Sequence, residues 1–121
     1  MVDDEPPLLR MLSLYLGRLG YSVTTAESTD AAWLLVEADP AAFALAVLDG
    51  SMSGMSMGDL ALRMLRANPA LRVLASSGYP LDMTALSDAA PGRVDFLQKP
   101  FTPEMMATAL RGLLGAQEEK L

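Results

Sequence analysis

Three observations on this 121-residue chain predict a parallel α/β sheet with helices on both faces. Short apolar or β-branched runs alternate with stretches of helical period. Proline, glycine, serine and asparagine punctuate the joins between them. The third observation is AFALAVLD, residues 42–49, an almost unbroken apolar run long enough for one strand buried on both faces.

The elements follow in order. Val2 is the tail of a very short first strand. Pro6 and Pro7 open a helix to about Leu19, with Leu8, Leu12, Tyr15 and Leu19 on one face and Gly20 as its stop. YSVTT, residues 21–25, is aromatic and β-branched and reads as a second strand. Ser28 or Thr29 caps a helix to about Ala38, ended by Asp39-Pro40. Residues 43–48 form the buried third strand, and a helix from about Gly58 to Ala67 stops at Asn68-Pro69.

LRVLASS, residues 71–77, is a fourth strand, followed by a short, weakly patterned helix from roughly Asp82 to Ala90. VDFL, residues 94–97, is the fifth strand. Thr102 caps a last helix with Pro103 in its first turn and Met106, Ala109, Leu110 and Leu113 inside. Five strands alternating with five helices imply right-handed crossovers and a single domain over residues 1–121.

Composition narrows the function classes. With 51% hydrophobic and 20% charged residues the chain is globular rather than disordered. It has no cysteine, so disulfides and thiolate chemistry are out. It has no histidine, which excludes histidine metal sites, Ser-His triads and a histidine phosphodonor role. A net charge of −6 argues against direct nucleic-acid binding. No apolar run reaches membrane-span length, and MVDDEPP is acidic, unlike a signal peptide. A soluble cytoplasmic domain is the expectation.

In a parallel sheet all carboxyl ends share one edge, where such folds place their chemistry. Asp3 and Asp4 follow strand one, Asp49 ends strand three, Ser77 ends strand four and Lys99 follows strand five. Crowded carboxylates repel, and a hard divalent cation such as Mg²⁺ relieves the repulsion. Lys99 can neutralise anionic oxygens as a point charge, and the Ser77 hydroxyl can donate to one of them. Taken singly, each residue has a plainer reading. Asp49-Gly50 is common turn chemistry, Asp3-Asp4 suits a helix start, Ser76 and Ser77 suit a strand end, and Lys99 suits a surface.

VDDEP, VLDGSMSGM, SSGYP and FLQKPF, each at the end of a different strand and in this order, resemble the receiver domain of two-component response regulators. LQKPFTPE and SGYP are similar especially to receivers of hybrid histidine kinases. The resemblance runs along the whole chain. It implies a flavodoxin-like, doubly wound five-stranded sheet in the order 2-1-3-4-5, with the first strand truncated.

It further implies phosphoryl transfer from a phosphohistidine, on a histidine kinase or histidine phosphotransfer protein, to Asp49. Asp3 and Asp4 match the Mg²⁺-binding acidic pair, Asp4 directly and Asp3 through water, and the Ser51 carbonyl completes the protein ligands. Lys99 matches the phosphoryl-contacting lysine, with a cis bond to Pro100. Ser77 matches the switch hydroxyl and Phe96 the aromatic that follows it, while Ser51 and Tyr79 flank the site and tune phosphoryl lifetime. The downstream partner is a protein docking on helix four, strand five and helix five, and a homodimer is compatible with the pattern. Such a domain turns over no separate substrate; it promotes only its own phosphorylation and dephosphorylation.

The chemistry is consistent with these roles. A carboxylate is a poor nucleophile, so the site must position it and screen the incoming phosphoryl charge. The product adds about −2 charge at Asp49, enough to bias a two-state surface.

Three departures from the family stand out. Only Met1 and Val2 precede the acidic pair, where a hydrophobic strand of several residues is usual, so the start shown is later than the natural one or the domain is less stable than its relatives. Ser53 stands for the usual proline four residues after the acceptor, and Met57 for the frequent glycine eight after it, with Gly58 one place later. These keep open an alternative, a degenerate receiver acting only as a protein-interaction module.

Other readings fail or weaken. An aspartyl phosphatase of the haloacid dehalogenase type needs an aspartate where Ser51 stands, and no glycine-rich phosphate loop follows the first strand. Met52, Met55 and Met57 resemble a thioether Cu(I) cluster, but an adaptable apolar loop is the plainer reading, and Trp33 reads as packing.

Overall fold

The computed structural model describes residues 1–50 and 55–118. In chain order it contains α1 (Pro6–Arg18), α2 (Thr29–Ala38), β1 (Leu45–Asp49), α3 (Met57–Ala67), β2 (Arg72–Ser77), α4 (Thr84–Ala89), β3 (Val94–Gln98) and α5 (Pro103–Glu118). The three strands form one parallel sheet in the order β1-β2-β3. Asp49 lies opposite Ser76, and Ser77 opposite Gln98, so the strand ends are level at the carboxyl edge.

Helices α2, α3 and α5 begin where short polar side chains satisfy their first N–H groups. Ser28 Oγ accepts from Ala31 N at 3.1 Å, Ser56 Oγ from Asp59 N at 3.1 Å, and Thr102 Oγ1 from Met105 N at 3.1 Å. Helix α1 has no side-chain cap; prolines occupy its first positions, where a missing N–H costs nothing. Gly20, at φ +99°, carries the chain out of that helix.

Two apolar layers sandwich the sheet. On one face Leu12, Leu16, Val47, Leu74, Met106, Leu110 and Leu113 bring α1 and α5 together. On the other, Val36, Leu48, Leu60, Met64, Leu65, Val73 and Leu86 join α2, α3 and α4 to the sheet. Trp33 packs against this second layer, with the Arg63 guanidinium 5.9 Å from its ring centre. Met55 and Met57 pack there too, in keeping with the apolar-loop reading; Met52 lies outside the described residues.

Several expectations need correction. Residues 21–25 are not a strand: only Ala26 bridges, to Val2. Val2 also bridges Leu48, so the expected first strand survives as one residue with a partner on each side. A strand of β-branched residues forms only against a neighbour, and here that neighbour is too short to pair with it. The third strand starts and ends later than expected, at Leu45 and Asp49. Helix α1 buries Leu9, Leu12 and Leu16, while Leu19 is 51% exposed because it caps the helix beyond its last turn. In α5 the fully buried small residue is Ala107, with Ala109 only half buried.

Candidate functional site

The carboxyl edge gathers side chains that are far apart in sequence. Asp49 ends β1 and is buried, with its backbone N–H donating to Val2 O at 3.0 Å. That bond ties Asp49 to the residue just before the acidic pair. Asp3 is buried and Asp4 exposed, and oxygens of Asp3, Asp4 and Asp49 all lie within 4.8 Å of one another.

Lys99 enters from the end of β3. Its N–H donates to Ser77 O at 2.8 Å, which fixes its backbone beside β2, and the Lys99–Pro100 peptide is cis. Its ammonium lies 2.9 Å from Asp3 Oδ2, 3.5 Å from Asp49 Oδ2 and 3.7 Å from Glu5 Oε1. Burial pulls the Lys99 pKa down, but the hydrogen bond to Asp3 and the charges of Asp3, Asp49 and Glu5 outweigh it and hold it above 10.5.

Ser77 is 1% exposed, and its Oγ accepts from Tyr79 N at 3.1 Å. The Tyr79 side chain is 74% exposed, so this residue reaches the site through its backbone rather than its ring. Phe96 is half-buried on β3 and lies opposite Ala75. Ser51, the expected carbonyl ligand, and Ser53 lie outside the described residues.

The sequence reading missed two features. Glu5 adds a third carboxylate around Lys99, although the run Asp3-Asp4-Glu5 was visible. Gly50 is the other: a Cβ there would sit 2.9 Å from Leu81 Cδ1 and 3.3 Å from Ser77 Cβ. Gly50 N also donates to Ser76 O at 2.7 Å, so the turn after Asp49 presses against the β2 loop. No spacing rule exposes that contact.

Hard carboxylate oxygens from Asp3, Asp4 and Asp49, one exposed and two buried, form a donor set that suits a divalent cation such as Mg²⁺. Beside it stand a buried hydroxyl and a lysine that can hold an anion. This defines an α/β domain with a cation- and anion-handling pocket at the carboxyl edge of a parallel sheet.

The chain belongs to the response regulator receiver domain family, which it matches over residues 1–111. It is 31% identical over 115 residues to the DNA-binding transcriptional regulator NtrC of Rhizobium meliloti (strain 1021), covering 95% of this chain and 22% of that protein. The chain thus spans under a quarter of that relative. Among solved structures, a CheY-like receiver domain protein from Methanospirillum hungatei JF-1 superposes with a TM-score of 0.85 at 22% identity, covering 99% of this chain and 94% of that one. A response regulator protein from Burkholderia pseudomallei, solved with a phosphorylated aspartic acid, a calcium ion and citrate, gives a TM-score of 0.76 at 28% identity, covering 98% of this chain and 69% of that one. Among the described residues, no helix is long and apolar enough to cross a membrane.

Proposed function

We propose that this domain accepts a phosphoryl group from the phosphohistidine of a histidine kinase or histidine phosphotransfer protein onto Asp49, in a Mg²⁺-dependent reaction in the cytoplasm. The observation that carries this reading is the Lys99 ammonium set between Asp3 and Asp49, with Asp4 completing a tight carboxylate cluster. The phosphorylated aspartic acid in the Burkholderia relative supports it.

Asp3, Asp4 and Asp49 would hold the Mg²⁺, which supplies positive charge to carboxylates and phosphoryl oxygens when bound. The chain's own part is positioning. The strand end and the bond to Val2 O hold the Asp49 carboxylate at the pocket floor, where an incoming phosphorus meets an oriented nucleophile. As the Asp49 oxygen bonds to phosphorus, the bond to the donor imidazole nitrogen breaks and its electron pair stays on that nitrogen. Lys99 then turns from Asp3 toward the new oxygens. Ser77 leaves Tyr79 N to donate to one of them, moving the loop toward α4, and Phe96 follows into the space released.

The face of α4, β3 and α5 is in this reading the docking surface for a downstream protein, with no direct contact to nucleic acid or membrane. The bridges of Val2 to Ala26 and Leu48 support a sheet order 2-1-3-4-5 with residues 21–26 on the outside.

The test is intact mass after incubation with acetyl phosphate, with and without Mg²⁺, beside Asp49→Asn. A Mg²⁺-dependent gain of one phosphoryl group, absent in the variant, is expected. No gain, under conditions that label an established receiver, would leave a protein-interaction module as the function.

A further inference from the structure

The amino ends of the strands carry a pair of like charges. Val73 pairs with Val94 in the ladder between β2 and β3, and Val73 N donates to Arg93 O at 2.8 Å. One step back along that register sets Arg72 opposite Arg93. Side chains at opposed positions of neighbouring strands leave the sheet on the same face, and like charges placed so destabilise the pairing. Arg72 is nevertheless only 8% exposed.

The two guanidinium groups differ in what they hold. Arg93 Nε donates to Leu71 O at 2.9 Å and Arg93 Nη2 to Asn68 O at 3.0 Å, which anchors that side chain to the loop between α3 and β2. Among the described residues the Arg72 side chain makes one long contact, Nη1 to Gly92 O at 3.5 Å, and its Nε is buried without a hydrogen-bond partner. No carboxylate among the described residues pairs with either group; the ion pairs found there all involve Lys99. Asp95, the first acidic residue along β3, is exposed and turns its Oδ1 to Phe96 N at 2.8 Å. Burial and the charge of Arg72 both pull the Arg93 pKa below its ordinary value.

A buried cation facing a second cation is unfavourable, and an anion between them relieves it. Each guanidinium has five N–H donors. After the bonds above, Arg72 Nε and Nη2 and Arg93 Nη1 keep donors to offer. Approach is open beside them: Gly92, whose carbonyl meets Arg72, is exposed and has nothing within 4 Å of where a Cβ would stand.

We propose that Arg72 and Arg93 form a binding site for a tetrahedral oxyanion of the phosphate class at the amino edge of the sheet. Guanidinium forks match phosphate oxygens in geometry and charge. The remaining donors belong to two forks, so an anion with oxygens in several directions meets both. A carboxylate has two oxygens in one plane and serves one fork. Strand β2 runs 6 residues from Arg72 to Ser77, which puts this pair ~16 Å from the carboxylate cluster at ~3.3 Å per residue.

The probe is inorganic phosphate, added to the 121-residue protein with a chelator present and compared with chloride at equal ionic strength. Expected is a saturable shift of the Arg72 and Arg93 Nε–H signals in the proton–nitrogen NMR spectrum, together with a rise in melting temperature. That rise should exceed the one in Arg72→Met, which reports only the general effect of phosphate on folding. Arg72→Lys keeps the charge but loses the fork, and should bind phosphate at least ~10-fold more weakly. Acetate should also bind at least ~10-fold more weakly than phosphate, and Asp49→Asn should bind phosphate as the parent does. The proposal is overturned if phosphate and chloride act alike, since the pair is then neutralised within the chain. It is equally overturned if acetate matches phosphate, if Arg72→Lys keeps the parent's affinity, if Arg72→Met shows the parent's rise, or if Asp49→Asn abolishes the shift. None of these readouts depends on phosphorylation of Asp49.

Discussion

Lys99 Nζ lies 2.9 Å from Asp3 Oδ2, nearer than the 3.5 Å that separates it from Asp49. The ammonium is committed first to the acidic pair and only second to Asp49. Removing it in Lys99→Met leaves Asp3 and Asp49 buried beside one another without their cation. We expect a loss of about 1–3 kcal/mol in the absence of divalent metal. The pH dependence has a definite sign. The folded pKa of Lys99 is raised above 10.5, so its contribution is complete below that value and is lost as pH rises through the folded pKa. Denaturant unfolding of both proteins should show a constant difference from about pH 7 to about pH 10 and a narrowing one above. A difference already gone at about pH 8 would show that the ammonium is not held as described.

The same crowding makes divalent cations stabilising. Mg²⁺ at 100 times its dissociation constant should stabilise the fold by about 2.7 kcal/mol, and chelation should reverse this. Asp4→Asn should weaken Mg²⁺ binding at least ~10-fold while barely moving the metal-free melting temperature, because Asp4 is exposed. In Lys99→Met the apparent Mg²⁺ affinity should rise, since the competing cation is gone. Titration calorimetry on the three proteins decides this, and equal affinities would place the ion elsewhere.

What could be read from the sequence follows the range of the forces involved. The caps at Ser28 (or its neighbour Thr29) and at Thr102 were visible because such a residue bonds an N–H three residues away, as Ser28 and Thr102 do. Asp49, Ser77 and Lys99 were visible as an edge set because parallel strands bring their carboxyl ends together wherever they fall in sequence. Residues 21–25 have strand propensity, yet strand formation needs a partner, and the partner reduces to Val2. The buried face of α1 was misjudged for a related reason. Its apolar residues fill two adjacent stripes, and packing against Val47, Leu74 and Met106 selects the one with Leu12 and Leu16. Glu5 beside Lys99 and Leu81 against Gly50 depend on how loops from different strands meet.

Ser77 lets stability be tested apart from the proposed switch. Its Oγ accepts one backbone hydrogen bond, from Tyr79, so Ser77→Ala should cost about 1 kcal/mol. On the proposed reading, labelling of Asp49 by acetyl phosphate should persist in the variant, because Asp49, the acidic pair and Lys99 are untouched. The change in amide exchange across α4 that the proposed switch predicts on labelling should be absent in the variant. An α4 response of unchanged size in Ser77→Ala would remove this hydroxyl from the switch.

Gly50 provides the sharpest local test. Its backbone needs no positive φ, so glycine is required there by space rather than by conformation. A methyl group at this position meets Leu81 Cδ1 at 2.9 Å and Ser77 Cβ at 3.3 Å. Leu81 Cδ1 must move to admit the methyl group, whereas the Ser77 contact asks for only a few tenths of an ångström. We therefore expect Gly50→Ala to cost about 1–3 kcal/mol through overpacking. Leu81→Ala should cost less, because Leu81 is only half buried, and it clears the closer of the two contacts. The double variant should then be no less stable than Leu81→Ala by more than about 0.5 kcal/mol, a clear departure from additivity. Urea unfolding of the four proteins measures the coupling directly. Additive costs would mean that the clash is taken up by Ser77 and the β2 loop, and that Leu81 is not what requires glycine after Asp49.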